Sequence, residues 1–262
     1  MQRPHEAEND RAVGIQRLTP RRALMMVEQA AHGQHQEGNQ ATVAEPCNSA
    51  GRSSSVCVSH DDRHPNGMAK GKVPISHGAR WLLQWGFASG GEPESATRAA
   101  ALFDRFIICY SAHIADESRP FPGVIDALNV LRAAGAKLVV CTNKPTALSL
   151  GLLAKLGMID LFDGIVGIDA VTAAKPDPAH LIEDVQAVGG DLARTIMVGD
   201  ADTDAGTART AGTPLILVDF GYTEIPAFEL APDILLHHFD DLVDACTGLF
   251  NKSFPVSSTW GT

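Results

Sequence analysis

An α/β fold, a parallel β-sheet covered by helices on both faces, is predicted for the larger C-terminal part of this 262-residue chain. Three observations predict it. The short runs "KLVVCTN", "GIVGI", "TIMVGD" and "PLILVDF" are β-rich and apolar on both faces, so they need cover on both sides. Helical stretches alternate with them, as crossovers between parallel strands require. A polar residue follows each apolar run, where open parallel sheets place their ligands.

Taken in order, the chain opens on a segment, 1–73, that contains no Phe, Trp or Tyr, whereas all fifteen aromatic residues follow Pro74. Without large apolar side chains such a segment offsets little of its ordering entropy, so most of it is expected to be disordered. One island within it, "LTPRRALMMVEQAAHG", predicts a short helix, with Thr19 as cap, Pro20 in the first turn and Gly33 as stop. The stretches "ISHGARWLLQWGF" and "ESATRAAALFDRFIICYSAHI" carry apolar residues at helical spacing, and "PGVIDALNVLRAAG" runs as a helix from Pro122 to Gly135. After the first strand run, helices are expected over 145–156, 178–188 and 203–211. The domain division that follows is an atypical segment 1–73, a helical region 74–120 and an α/β core 121–262.

Charge and cysteine content narrow the function. Residues 1–73 hold nine basic and eight acidic side chains and the remainder twelve and twenty-three, so the net charge of -10 belongs to the core. That balance argues against nucleic acid as a partner. The five cysteines, at 47, 57, 109, 141 and 246, are scattered and form no CxxC pair, which fits reduced thiols in the cytoplasm. No apolar run reaches 18 residues and the N-terminus has no signal-peptide pattern, so no membrane partner is expected. Oligomeric state is not legible.

The strand ends carry the chemistry. "CTNKP" presents Thr142 and Asn143, "AAKPDP" presents Lys175, and "TIMVGDADTDAG" presents Asp200, Asp202 and Asp204. Singly, each has a structural reading: Thr142 and Asn143 as turn and cap residues, Lys175 as a solvated loop lysine, Asp202 as the cap of the following helix. Asp202 keeps that reading, because the strand-to-helix corner aims it at free helix N–H groups. Asp200 and Asp204, a helical turn apart, can together hold a hard cation through oxygen ligands. A hydroxyl, an amide, a fixed positive charge and a carboxylate-held magnesium ion are the parts phosphoryl chemistry needs.

The stretches "FPGVIDALNVLRAAGAKLVVCTNKP", "KPDP" and "IMVGDADTDAGTARTAGTPLILVDFGYT" resemble the haloacid dehalogenase superfamily, most closely its phosphoglycolate phosphatases, and "SHGARWLL" resembles that family's helical cap. The resemblance runs from about Ile75 to Phe250. It implies a Rossmann-like core with a small, truncated cap and a magnesium-dependent hydrolysis of a small phosphorylated metabolite. By the same resemblance Thr142 and Asn143 would bind a phosphoryl oxygen, Lys175 would hold the phosphate and the nucleophile, and Asp200 would bind magnesium with Asp204 steadying it. A receiver-type regulatory domain also gathers acids, a Thr and a Lys, but places the acids first and the lysine last.

One part is not found. The family's first motif, an apolar strand ending in Asp-x-Asp-Gly-Thr whose first Asp attacks phosphorus, does not occur in the sequence. In "SSSVCVSHDDRHPNG" Asp61 and Asp62 are adjacent, so on an extended chain they point to opposite sides, and the Pro65 that follows His60 and His64 argues against a helical metal pair. The family's missing strand lies between those ending at Thr142 and Asp200; without it they would stand about 9–10 Å apart, twice the strand spacing. Ser53–Ser59 is the candidate to fill the slot, and otherwise the fold is marginal or rearranged. The alternatives are therefore a phosphatase with an unidentified nucleophile, a catalytically inactive phosphate- or metal-binding relative, or the product of a frame-shifted gene whose foreign stretch is residues 1–73.

Overall fold

The structure is a computed structural model, and it describes residues 22–26, 103, 107–108, 110–116, 118–221 and 225–253. Six parallel strands form one sheet: β1 (Arg22–Met26), β2 (Ala136–Thr142), β3 (Gly164–Gly167), β4 (Asp191–Gly199), β5 (Leu215–Val218) and β6 (Ile234–Leu236). Their order is β3-β2-β1-β4-β5-β6. The helices among the described residues of the core are α1 (Val124–Ala133), α2 (Thr146–Lys155), α3 (Pro178–Ala187), α4 (Asp202–Ala211) and α5 (Leu242–Ser253).

Side chains alternate across the sheet, as the two-residue period of a strand dictates. Leu138, Val140, Ile196, Val198, Ile216 and Val218 face a core built with α1, α2 and α5, including the fully buried Leu128, Leu131 and Leu152. Val139, Cys141, Met197, Leu215 and Leu217 face the opposite core, with Leu181 and Val185 of α3 and Ala205 and Ala208 of α4. Burial on both faces is why these runs read as continuously apolar.

The central slot is filled, and by a segment other than the expected one. β1 pairs in parallel with β2 (Leu24 opposite Leu138, Met26 opposite Val140) and with β4 (Leu24 opposite Ile196, Met26 opposite Val198). The helix expected around Arg22–Met26 is therefore corrected to a strand. A five-residue segment gains few hydrogen bonds as an isolated helix, whereas a strand with partners on both edges satisfies its own N–H and C=O groups and those of two neighbours. Ser53–Ser59, the segment expected in the slot, lies outside the described residues, as do Asp61, Asp62, His60, His64 and the "ISHGARWLLQWGF" helix. Within "ESATRAAALFDRFIICYSAHI" the described residues Phe103, Ile107, Ile108 and Tyr110 to Ala112 are helical.

The chain reverses its direction of winding at β1, with β2 and β3 on one side and β4, β5 and β6 on the other. Ligand crevices of open α/β sheets form at such a reversal, beyond the carboxyl ends of the strands. Thr142 closes β2 and Asp200 follows β4, so both lie at that crevice, two residues beyond the partners of Met26.

Candidate active site

The turn after β2 is held in place by its own polar groups. Thr142 is buried, and its Oγ1 accepts the Lys144 N–H at 3.0 Å, which fixes the side chain at the strand end. The Thr146 N–H at the start of α2 donates to Asp169 Oδ1 at 2.7 Å, and Thr146 Oγ1 accepts the Gly167 N–H at 3.0 Å, tying the end of β3 to that helix. A Cβ on Gly167 would lie 2.3 Å from the Thr146 nitrogen and 2.4 Å from the Lys144 carbonyl oxygen, so only glycine admits this turn so close to β3.

Asn143 and Lys175 are joined by a reciprocal pair of bonds. The Asn143 Nδ2 donates to the Lys175 carbonyl at 3.1 Å, and Asn143 Oδ1 accepts the Lys175 N–H at 2.9 Å. This pair carries the lysine to the crevice, 32 residues further along the chain. The Lys175 ammonium donates to the Cys141 carbonyl at 2.9 Å and to Asp204 Oδ1 at 2.7 Å, with 3% and 1% of the two charged side chains exposed. Burial alone would push its pKa down, but Asp204, Cys141 and Asp200 outweigh that effect and hold it above the ordinary lysine value. The lysine is a fixed cation.

The other Asp204 oxygen accepts the N–H groups of Asp200 and Ala201, each at 3.1 Å. Asp204 thus caps its own helix from the third residue, drawn there by the positive end of the helix dipole. This corrects the role expected of Asp202, which opens α4 as an exposed residue while Asp204 accepts the free amides. The fold-back depends on Gly199, since a Cβ there would lie 2.5 Å from the Asp204 Cβ, Cγ and Oδ2. Gly199→Ala is therefore expected to cost about 1–3 kcal/mol by overpacking, read as a lower urea midpoint with an unchanged slope.

Asp200 is fully buried beyond β4. The Gly221 backbone lies against it, so close that a Cβ on that glycine would stand 2.4 Å from Asp200 Oδ2. With both Asp204 oxygens engaged by protein donors, Asp200 is the carboxylate of the pair placed to ligate a cation, and its donor atoms are the hard oxygens magnesium prefers. The residues fit that ion, with Asp204 orienting the loop rather than reaching it.

Behind the crevice, on the α3 side of the sheet, lies a cluster that the sequence reading missed: Cys141, His180 and Asp184, all fully buried. The available signal was their spacing, for His180 and Asp184 are four apart on an expected helix and so share a face. Burial pushes the Asp184 carboxyl up to about 7, and burial with the nearby Lys175 pulls His180 down to about 4. Folded Asp184 keeps a proton that the unfolded chain releases between pH 3.8 and about 7, so its contribution to stability falls as pH rises through that window. Folded His180 lacks a proton that the unfolded chain carries between about pH 4 and 6.5, so its contribution rises there and offsets the first. Asp184→Asn is therefore expected to gain stability between pH 4 and 6.5 relative to the parent and to exceed it above pH 7, read by urea unfolding across that range.

A doubly wound α/β sheet gathers a buried lysine, a hydroxyl and carboxylates beyond the carboxyl ends of its central strands, where open sheets of this kind form their ligand crevices. A family model described as "Hydrolase: haloacid dehalogenase-like hydrolase" matches residues 87–212. The chain is 49% identical to a phosphoglycolate phosphatase of Caulobacter vibrioides over 72% of its own length and 79% of that protein. It is 40% identical to another phosphoglycolate phosphatase, of Agrobacterium fabrum, over 68% of its length and 75% of that protein. The chain belongs to the haloacid dehalogenase-like hydrolases. Among solved structures, that of a predicted phosphoglycolate phosphatase from Haemophilus somnus 129pt superposes with a TM-score of 0.61 at 27% identity, covering 65% of this chain and 78% of that one.

Proposed function

We propose that this chain is a magnesium-dependent phosphomonoester phosphatase scaffold for small phosphorylated acids, with 2-phosphoglycolate as its substrate, working in the cytoplasm. One observation carries the proposal: a lysine 5% exposed and bonded to Asp204 at 2.7 Å is clamped by Asn143 between Thr142 and Asp200 at the crevice of the sheet. The similarity to relatives named phosphoglycolate phosphatase supports the substrate.

In this reading the Thr142 hydroxyl and the Lys175 ammonium bind phosphoryl oxygens. Two of the three ammonium protons go to Cys141 and Asp204, and the third is directed to the substrate. Asn143 sets the position of the lysine, and Asp204 fixes the amides that orient Asp200. Magnesium, held by Asp200, neutralises charge on the phosphoryl group when bound. Steady donors aimed at developing charge are the main contribution such a site makes to rate.

A second reading follows from the sequence itself, which contains no Asp-x-Asp-Gly-Thr. Loss of a covalent nucleophile costs another hydrolase about 10^6 in rate, so a chain without one would bind phosphate and magnesium without useful turnover. Hydrolysis of 2-phosphoglycolate and p-nitrophenyl phosphate with magnesium separates the two. Turnover lost in Asp200→Asn supports the phosphatase; magnesium-dependent phosphate binding by calorimetry without turnover supports the binder. Neither turnover nor binding would overturn both.

A further inference from the structure

The Cys141, His180 and Asp184 cluster has no role in the proposed phosphate site, and it gathers a sulfur, a nitrogen and an oxygen in one buried place. One ligand atom from each residue lies within 4.8 Å of the others, and all three residues are 0% exposed. His180 Nε2 and Asp184 Oδ2 are 3.6 Å apart. In a tetrahedral zinc site, bond lengths of about 2.0–2.3 Å place neighbouring ligand atoms roughly 3.3–3.6 Å apart, so a small inward movement of the sulfur completes the set.

The polar atoms are poorly satisfied. The Cys141 thiol acts on Asp184 and the Val166 carbonyl on the His180 ring as weak hydrogen-bond partners, but neither contact reaches good hydrogen-bond geometry. Leaving such groups buried with only weak partners is costly, and a metal ion satisfies a sulfur, a nitrogen and an oxygen together.

We propose that Cys141, His180 and Asp184 form a second metal site, distinct from the Asp200 crevice, that takes a thiophilic dication of the zinc type. A thiolate, a carboxylate and a neutral imidazole balance the ion's charge, as a fully buried site demands. The nearby Lys175 does not oppose the ion unaided, because Asp204 neutralises it at 2.7 Å. Val166, paired across the sheet with Cys141, offers its carbonyl to the imidazole nitrogen that does not bind metal, the usual outer partner of a ligating histidine. The i, i+4 pair on α3 and the strand residue facing it form a rigid three-ligand frame, and the fourth position is left to water or a small anion. Formation releases the protons of the thiol and, below neutral pH, of the carboxyl to solvent.

The test uses the full chain, stripped with chelator and titrated with cobalt(II) in the presence of excess magnesium. The expected result is a near-ultraviolet thiolate-to-cobalt absorption that saturates at one metal per chain, is bleached by zinc, and survives in Asp200→Asn. Cys141→Ser should abolish it while leaving Cys47, Cys57, Cys109 and Cys246 in place. Asp184→Asn and His180→Gln should weaken cobalt binding about tenfold or more, since loss even of an outer partner weakens metal sites by about 10–100-fold. No absorption in the parent, or one unchanged in Cys141→Ser, would overturn the proposal. Should Cys141→Ser fail to fold, X-ray absorption of the zinc-loaded parent decides: one sulfur among nitrogen and oxygen neighbours supports the site, and a sulfur-free shell sinks it. Because the readouts are spectroscopic, the outcome does not depend on phosphatase activity.

Discussion

Lys175→Met is expected to destabilise the protein by about 3–5 kcal/mol, because it leaves the Asp204 charge buried and unpaired. One further group loses its partner: the Cys141 carbonyl, now bonded at 2.9 Å. Adding Asp204→Asn should recover much of the loss, since the amide oxygen still accepts the N–H groups of Asp200 and Ala201 without carrying a charge. A double-mutant cycle read by urea denaturation measures this coupling. Additive losses would mean that the pair contributes no specific interaction. The pH dependence has a definite sign. The folded lysine value is raised above 10.5, so the contribution of the pair is fully present at neutral pH and disappears only as pH rises through the folded value. Phosphate affinity should fall in the single variant over the whole neutral range.

Leu24→Pro is the second change with a large expected effect. Leu24 stands opposite Leu138 on one edge and Ile196 on the other, so a proline there removes a donor from the middle of the sheet and collides with its neighbours. A loss of about 3 kcal/mol or more, or failure to fold, is expected. Val56→Pro, in the segment "SSSVCVS", serves as the comparison, because that stretch is the rival occupant of the slot. Circular dichroism and thermal unfolding should show Leu24→Pro strongly impaired and Val56→Pro close to the parent. The reverse pattern would remove Arg22–Met26 from the sheet.

These two expectations mark the limit of what the sequence makes legible. β2, β3, β4 and β5 were recognisable because strands buried on both faces are apolar throughout, and α1 to α4 because Gly135, Pro145, Pro178 and Gly212 punctuate them. β6 is three residues long, too short for any period to register. β1 fails differently. "RALMM" carries a helix former's composition, and only pairing with segments more than a hundred residues away makes it a strand. Thr142, Asn143 and Asp200 were legible as polar residues at strand ends, Lys175 as a residue of the following loop and Asp204 as one a helical turn past Asp200. The division of labour between Asp202 and Asp204 was not, because it depends on a backbone fold-back that Gly199 permits. Cys141, His180 and Asp184 escaped notice because a polar triad inside a core announces itself only when strand and helix are superposed. Among the described residues no helix is long and apolar enough to cross a membrane.

The paired bonds between Asn143 and Lys175 imitate one rung of a β-ladder, with a side-chain amide standing in for a peptide. The lysine's address is thereby written on β2, not on the loop that delivers it. Beyond Asp169, which stays bonded to Thr146, the connection to Ala174 does not itself set where the cation sits.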